Sequence, residues 1–233
     1  MKTIRLRARA CVKVLLPFVM AASSVLCARG QGYVNLNFED AGTNAIDPNA
    51  MFLAWNVGAP GWQHAGVASP FIGHNTVGTG GTASYFLVDS SCTSLSPIMG
   101  NYSFALINGH LSPTDPNSQF IMTWIAQSGT VPPNAQSFEL MATGAPFSVT
   151  LNGTEIPMTS LGDNLYGGPV SGFAGQSVPL LIQNDSTAPG TILVLDDLQF
   201  APTPVPEPAC VTLLAAGLGA SIVVAGKRRR KAR

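Results

Sequence analysis

The sequence predicts an all-β protein: a single two-sheet β-sandwich of jelly-roll type over residues 31–200, flanked by a secretory signal peptide and a C-terminal transmembrane helix. Three observations predict the sandwich. Glycine and proline, 24 and 18 of 233 residues, break the body into runs too brief for helices. Within those runs apolar and polar residues alternate, the period of a half-buried strand. A body of about 170 residues also suffices for one domain with a sizeable core.

Residues 1–30 read as the signal peptide. Lys2, Arg5, Arg7, Arg9 and Lys13 give a positive leader, an apolar run follows over 14–28, and Ala28 and Gly30 are the small residues of a cleavage site before Gln31. The first strand is expected over 33–38, with Val34, Leu36 and Phe38 on one face. Further strands are expected over 84–88, 102–107, 120–126, 137–141, 147–151, 178–182 and 191–200. Asn152-Gly153 and Val131-Pro132-Pro133-Asn134 supply turns between them. Residues 201–208 form a stiff Pro-rich spacer. The apolar segment 209–226 would be about 27 Å long as a helix, enough for one membrane crossing. The basic tail 227–233 should stay cytoplasmic.

Charge placement is the strongest functional signal. Twelve Lys and Arg balance twelve Asp and Glu, but six cations lie in the first 29 positions and six in the last seven, so none falls between Gln31 and Pro204. Eleven acidic residues occupy that stretch. A body without cations cannot neutralise phosphates, which excludes nucleic acid as a partner and leaves no P-loop lysine or arginine clamp for nucleotides. Of four cysteines only Cys92 lies in the body, so no disulfide can form within the domain.

Val205, Pro206, Glu207 and Pro208, followed by one short apolar helix and then Lys227, Arg228, Arg229 and Arg230, resemble the PEP-CTERM sorting signal of Gram-negative bacteria. The resemblance implies an exosortase-type protease as partner. It also implies a transient inner-membrane anchor, then release to the cell surface or extracellular matrix, often alongside exopolysaccharide. It covers only the sorting signal and says nothing of what residues 31–204 do. The alternative is a plain single-pass anchor.

A second resemblance lies at the edges of the body. Asn37-Phe38-Glu39-Asp40-Ala41, Pro60-Gly61-Trp62 and Leu195-Asp196-Asp197-Leu198-Gln199-Phe200 are similar to the edges of carbohydrate-binding-module and galactose-binding-like jelly rolls. The resemblance implies one structural calcium held by acidic residues of the first and last strands. Parity places Asp196 with Val194, Leu198 and Phe200 on the core side, where a carboxylate needs compensation that no body cation can give. Calcium held by Glu39, Asp40, Asp196 or Asp197 is one answer. Hydrogen bonds from backbone amides, or a bulge that leaves Asp196 wet, are the others.

Among aromatic residues, Trp55 and Tyr166 sit in loop-like sequence and are the candidates for stacking on sugar rings; Trp62 is a weaker one, and Trp124 reads as core. His64, His74 and His110 show no metal-ligand spacing. No G-x-S-x-G elbow is present, Cys92 has no defined histidine partner, and carboxylate pairs for glycoside hydrolysis leave no sequential signature. The reading is therefore an exported, surface-sorted, non-catalytic β-sandwich of the envelope or extracellular matrix, associated with exopolysaccharide. The alternatives are a carbohydrate-binding module with a defined saccharide site and a matrix glycan hydrolase.

Overall fold

A computed structural model describes residues 32–205 except 45, 46, 48, 49, 66–70, 76–80, 113, 114 and 116. The expected signal peptide, transmembrane helix and basic tail, and Pro206, Glu207 and Pro208, lie outside the described residues. No helix among the described residues is long and apolar enough to cross a membrane.

The chain forms two facing β-sheets with almost no helix, an all-β sandwich of jelly-roll type. The larger sheet has eight strands. These are β1 (Phe52–Ala54), β3 (Phe71–His74), β4 (Ser84–Asp89), β5 (Tyr102–Ile107), β15 (Ile192–Ala201), β9 (Ser137–Gly144), β13 (Leu165–Pro169) and β12 (Thr159–Gly162), in that spatial order. The smaller sheet runs β11 (Thr154–Glu155), β10 (Phe147–Leu151), β14 (Ser177–Asn184), β8 (Trp124–Thr130) and β2 (Gln63–Ala65). A separate hairpin-like pair joins β6 (Gly109–His110) to β7 (Phe120–Ile121). All pairings between the strands are antiparallel except β3 with β4.

Alternation builds these strands as expected. Val178, Leu180 and Ile182 of β14 turn inward while Ser177 and Pro179 face solvent. Across the sandwich they meet a core that includes Phe38, Phe104, Phe138, Leu140 and Phe200, all fully buried. The β10–β11 turn is Asn152-Gly153, both left-handed at φ 52° and 74°. That is the primed turn whose twist suits a tight hairpin. The outer strands of both sheets are short, and β12 is broken by a bulge between Ser160 and Gly162.

Three expectations are corrected. Residues 33–38 form no strand, because Asn35 and Phe38 are left-handed at φ 49° and 57° and turn the chain. Val34 is half-exposed rather than sharing an inward face with Leu36 and Phe38. In place of a ladder, the Gln127 side chain grips Val34 at both ends, its Oε1 accepting from the Val34 amide and its Nε2 donating to the Val34 carbonyl. The run 120–126 divides into β7 and β8. In β15 a bulge between Asp196 and Gln199, with Asp197 at φ 43°, reverses the parity. Leu193 and Leu195 face the main core before the bulge, and Leu198 and Phe200 after it. Val194 belongs to the opposite face.

That opposite face is itself covered. Phe86, Val88, Cys92, Ala105, Ile107 and Val194 form a second apolar layer, and Leu95 and Ile98 of the β4–β5 loop pack on it. The centre of the larger sheet is therefore buried on both sides, which explains the unbroken apolar runs of β4 and β5.

Candidate functional site

The same bulge helps shape a cleft among the described residues. One wall is the turn 33–37 with Asp40, and the other is 197–199; together they enclose about 330 Å³. Several bonds hold the walls to each other and to the body. Leu198 donates its amide to Leu36 O at 3.0 Å, Trp62 Nε1 donates to Asn35 O at 3.1 Å, and Tyr33 OH donates to Val178 O at 2.6 Å. Burial raises the Tyr33 hydroxyl to about 12, so it stays a donor at any ordinary pH. Gly129 makes room for this ring: a Cβ there would lie 2.6 Å from Tyr33 Cγ.

The four carboxylates grouped by sequence reading divide into two kinds. Asp40 and Asp197 both line the cleft. Glu39, at the start of a 3-10 turn (Glu39–Asn44), instead caps β5: its Oε1 accepts from the amides of Asn101 at 2.7 Å and Tyr102 at 2.9 Å, and its Oε2 from Asn101 Nδ2 at 2.9 Å. Gly100 permits this approach, being left-handed at φ 60° with no Cβ to meet Glu39 Oε1.

Asp196 is 1% exposed and lies on the face with Val194, where it holds the end of the β4–β5 loop. Its Oδ2 accepts from Met99 N at 2.9 Å and Ser103 Oγ at 2.5 Å, and its Oδ1 from Asp197 N at 2.7 Å. Ser103 Oγ in turn accepts the Ile98 amide at 2.8 Å. Burial pushes the Asp196 carboxyl up to about 6, against the pull of its donors; the Asp197 charge adds a little. Hydrogen bonding to amides is thus how the protein compensates this carboxylate. No group of three or more His, Cys, Asp or Glu side chains among the described residues comes close enough to hold a metal ion.

The other end of the same loop is pinned by Asp89. Its Oδ1 accepts from Asn75 Nδ2, Ser91 N and Ser91 Oγ, each at 2.7 Å, and its Oδ2 lies 3.0 Å from His74 Nε2. Burial pushes its carboxyl up, but the bonds from Ser91, Asn75 and His74 outweigh burial and hold it below the usual range.

The aromatic candidates are packed inward to different degrees. Trp62 is 3% exposed and stacks on Phe38, so it offers no face to a ligand. Trp55 is half-buried, with its ring 3.9 Å from that of His64 and edge-on to Tyr85 and Phe104, while its Nε1 donates to Trp62 O. Tyr166 is half-buried edge-on to Phe147. These residues do not converge on the cleft. His64 carries a buried Nδ1 with no partner among the described residues, and burial lowers its pKa.

Sequence reading passed over Asn35, Asn37 and Gln199, which line the cleft beside Asp40 and Asp197. A signal was present in Asn35 and Asn37, since asparagine tolerates the left-handed region better than the other residue types in that run, though the sequence does not say which of the two adopts it.

No protein-family model matches the chain, and no curated protein matches it. Among solved structures, the chain is similar to the Caldicellulosiruptor saccharolyticus CBM27-1 in complex with mannohexaose. The identity is 12%, the TM-score 0.36, and the match covers 66% of this chain and 97% of that one. A likeness this loose says nothing of what this chain binds.

Proposed function

We propose that the protein is an exported, non-catalytic β-sandwich that serves in the envelope or extracellular matrix in contact with neutral polysaccharide. The observation that supports this reading is the use of its carboxylates. With no Lys or Arg from Gln31 to Pro204, the body meets Glu39, Asp89 and Asp196 with N–H and O–H donors that hold the β4–β5 loop in place. Carboxylates held by such bonds serve as parts of the framework. Asp40 and Asp197, which line the cleft, add negative potential that repels acidic polymers and tolerates neutral ones.

Export and sorting through an exosortase rest on the terminal segments. Replacing Pro206 and Glu207 by alanine should retain the protein in the membrane fraction; unchanged release would sink the sorting reading. Calcium is proposed for Asp40 and Asp197, the two of the four candidate carboxylates that line the cleft. A calcium-dependent rise in Tm, absent in Asp197→Asn, tests it. For the glycan contact, the protein is run through native gels cast with the producing cells' exopolysaccharide, with calcium and with EDTA. Retardation supports the reading. Equal mobility in every gel, with the fold intact, refutes it and leaves a structural protein whose partners are other proteins.

A further inference from the structure

Only two asparagines of the chain, Asn108 and Asn152, are followed by glycine. In such a pair the glycine amide nitrogen can attack the asparagine carboxamide carbon and close a five-membered ring, because glycine has no side chain to hinder the approach. The fold treats the two pairs oppositely. Asn108 is fully buried and its carboxamide is fully engaged. Its Oδ1 accepts from Thr123 N at 2.7 Å and Thr123 Oγ1 at 2.8 Å, and its Nδ2 donates to Asn184 O at 2.9 Å and Ser186 O at 2.7 Å. Gly109 is pressed against neighbouring backbone, where a Cβ would lie 2.3 Å from Gly81 O. Closing the ring there would break these bonds and move packed main chain.

Asn152 and Gly153 are the reverse case. They form the two-residue turn between β10 and β11, and both are exposed. The Asn152 amide donates to Pro179 O at 2.9 Å, but the Asn152 carboxamide and the Gly153 amide have no hydrogen-bond partner among the described residues. A Cβ added at Gly153 would meet nothing within 4 Å. An accessible electrophile, a free nucleophile and open space thus coincide at this turn. What holds the turn closed is β11, two exposed residues at the edge of the smaller sheet. A short edge pair of this kind opens locally at a small fraction of the cost of global unfolding.

We propose that Asn152 is a site of spontaneous modification, converting to aspartate and isoaspartate through a succinimide, while Asn108 is spared. The Gly153 amide gives its proton to solvent base, its nitrogen bonds to Asn152 Cγ, and the Cγ–Nδ2 bond breaks with the nitrogen leaving as ammonia. Water then opens the ring. Attack at Cγ gives aspartate, and attack at the backbone carbonyl carbon gives isoaspartate. Water is the sole co-reactant, and no oxidant takes part. Isoaspartate carries an extra methylene into the main chain of a two-residue turn and so strains the Leu151–Thr154 pairing. Either product adds a negative charge to a body that has no Lys or Arg between Gln31 and Pro204 to offset it. The turn thereby records the age of the molecule, whatever the sandwich binds.

The test follows both sites in the full chain at mildly alkaline pH, once folded and once unfolded in urea. A glutamate-specific protease releases peptide 140–155, in which Asn152 is the only asparagine or glutamine, and peptide 40–139, in which fragmentation locates Asn108. Mass spectrometry reads the change from amide to acid, and electron-transfer fragmentation separates isoaspartate from aspartate. In the folded chain Asn152 should convert at about a hundredth or more of its rate in urea, as local opening allows. Asn108 should convert at about a thousandth or less of its rate in urea, since it reacts only on global unfolding. Isoaspartate should form part of the product, and Gly153→Ala should slow the reaction. That variant can be compared with wild type in urea, so its folding does not limit the test. Asn152 falling below its limit shows that the turn protects it and overturns the proposal. Asn108 exceeding its limit overturns the selection by burial. Aspartate alone, or Gly153→Ala reacting as fast as wild type, overturns the ring route.

Discussion

Asp196 gives the sharpest quantitative expectation. Its carboxyl ordinarily titrates at 3.8 and is raised by burial to about 6 in the folded protein. Between those values the folded chain holds a proton that the unfolded chain has released. Stability from this group is therefore fully present below pH 3.8 and is lost as pH rises through about 6. The gap, at about 1.4 kcal/mol for each pH unit, amounts to about 3 kcal/mol. The variant Asp196→Asn cannot titrate here. Absolute stabilities mix two opposed effects, because the variant avoids burying a charge but sets an amide NH2 among the donors Met99 N, Ser103 Oγ and Asp197 N. The difference between the two proteins as a function of pH removes that ambiguity and also cancels the other carboxylates. Urea unfolding of both at intervals from pH 3.5 to 7.5 should show wild type gaining about 2.4 kcal/mol on the variant as pH falls from 7 to 4, with the remainder appearing only at still lower pH. A difference that stays flat, or that runs the other way, would show that the three donors outweigh burial and that the carboxyl titrates at or below its ordinary value.

Three other outcomes follow from the packing. Gly100→Ala places a Cβ 2.3 Å from Glu39 Oε1 at a left-handed φ of 60°, and should cost about 2–4 kcal/mol through strain and lost charge-assisted bonds. Combining it with Glu39→Gln in a double-mutant cycle should cost less than the sum; strict additivity would contradict the shared contact. Phe138→Ala removes a fully buried ring between Phe200 and the opposite sheet, and a loss of about 3–5 kcal/mol in urea unfolding is expected, against under 1 if the site were exposed. Burial lowers the His64 pKa below its ordinary 6.5. An NMR titration should place its midpoint there, and a midpoint above 6.5 would mean that the imidazolium has found a partner.

The fold was legible where the pleat alone decides the residue pattern. Phe147–Leu151 and Tyr102–Ile107 match their expected bounds, because alternation in the one and the apolar run Phe104–Ile107 in the other are fixed by burial of one face or both. Strands such as β1 and β3 escaped notice because three or four residues carry too little period to read. The errors at 33–38 and 191–200 have one physical source. Left-handed residues at Asn35, Phe38 and Asp197 cost little at Asn and Asp, more at Phe, and alternation is blind to all three. Asn35 and Asp197 also line the cleft, so a periodic pattern hides that feature as well. The need for Asp196 to be compensated was readable from the missing cations; that Met99 N and Ser103 Oγ would do much of it was not, since both lie far away in sequence.

The last strand has a mechanical meaning. β15 is ten residues long, lies between β5 and β9 with ladders on both sides, and leads straight into the segment 202–205. A pull on that end loads two rows of hydrogen bonds lengthwise, so that many must break together instead of peeling one at a time. The strand therefore resists tension applied at its C-terminal end.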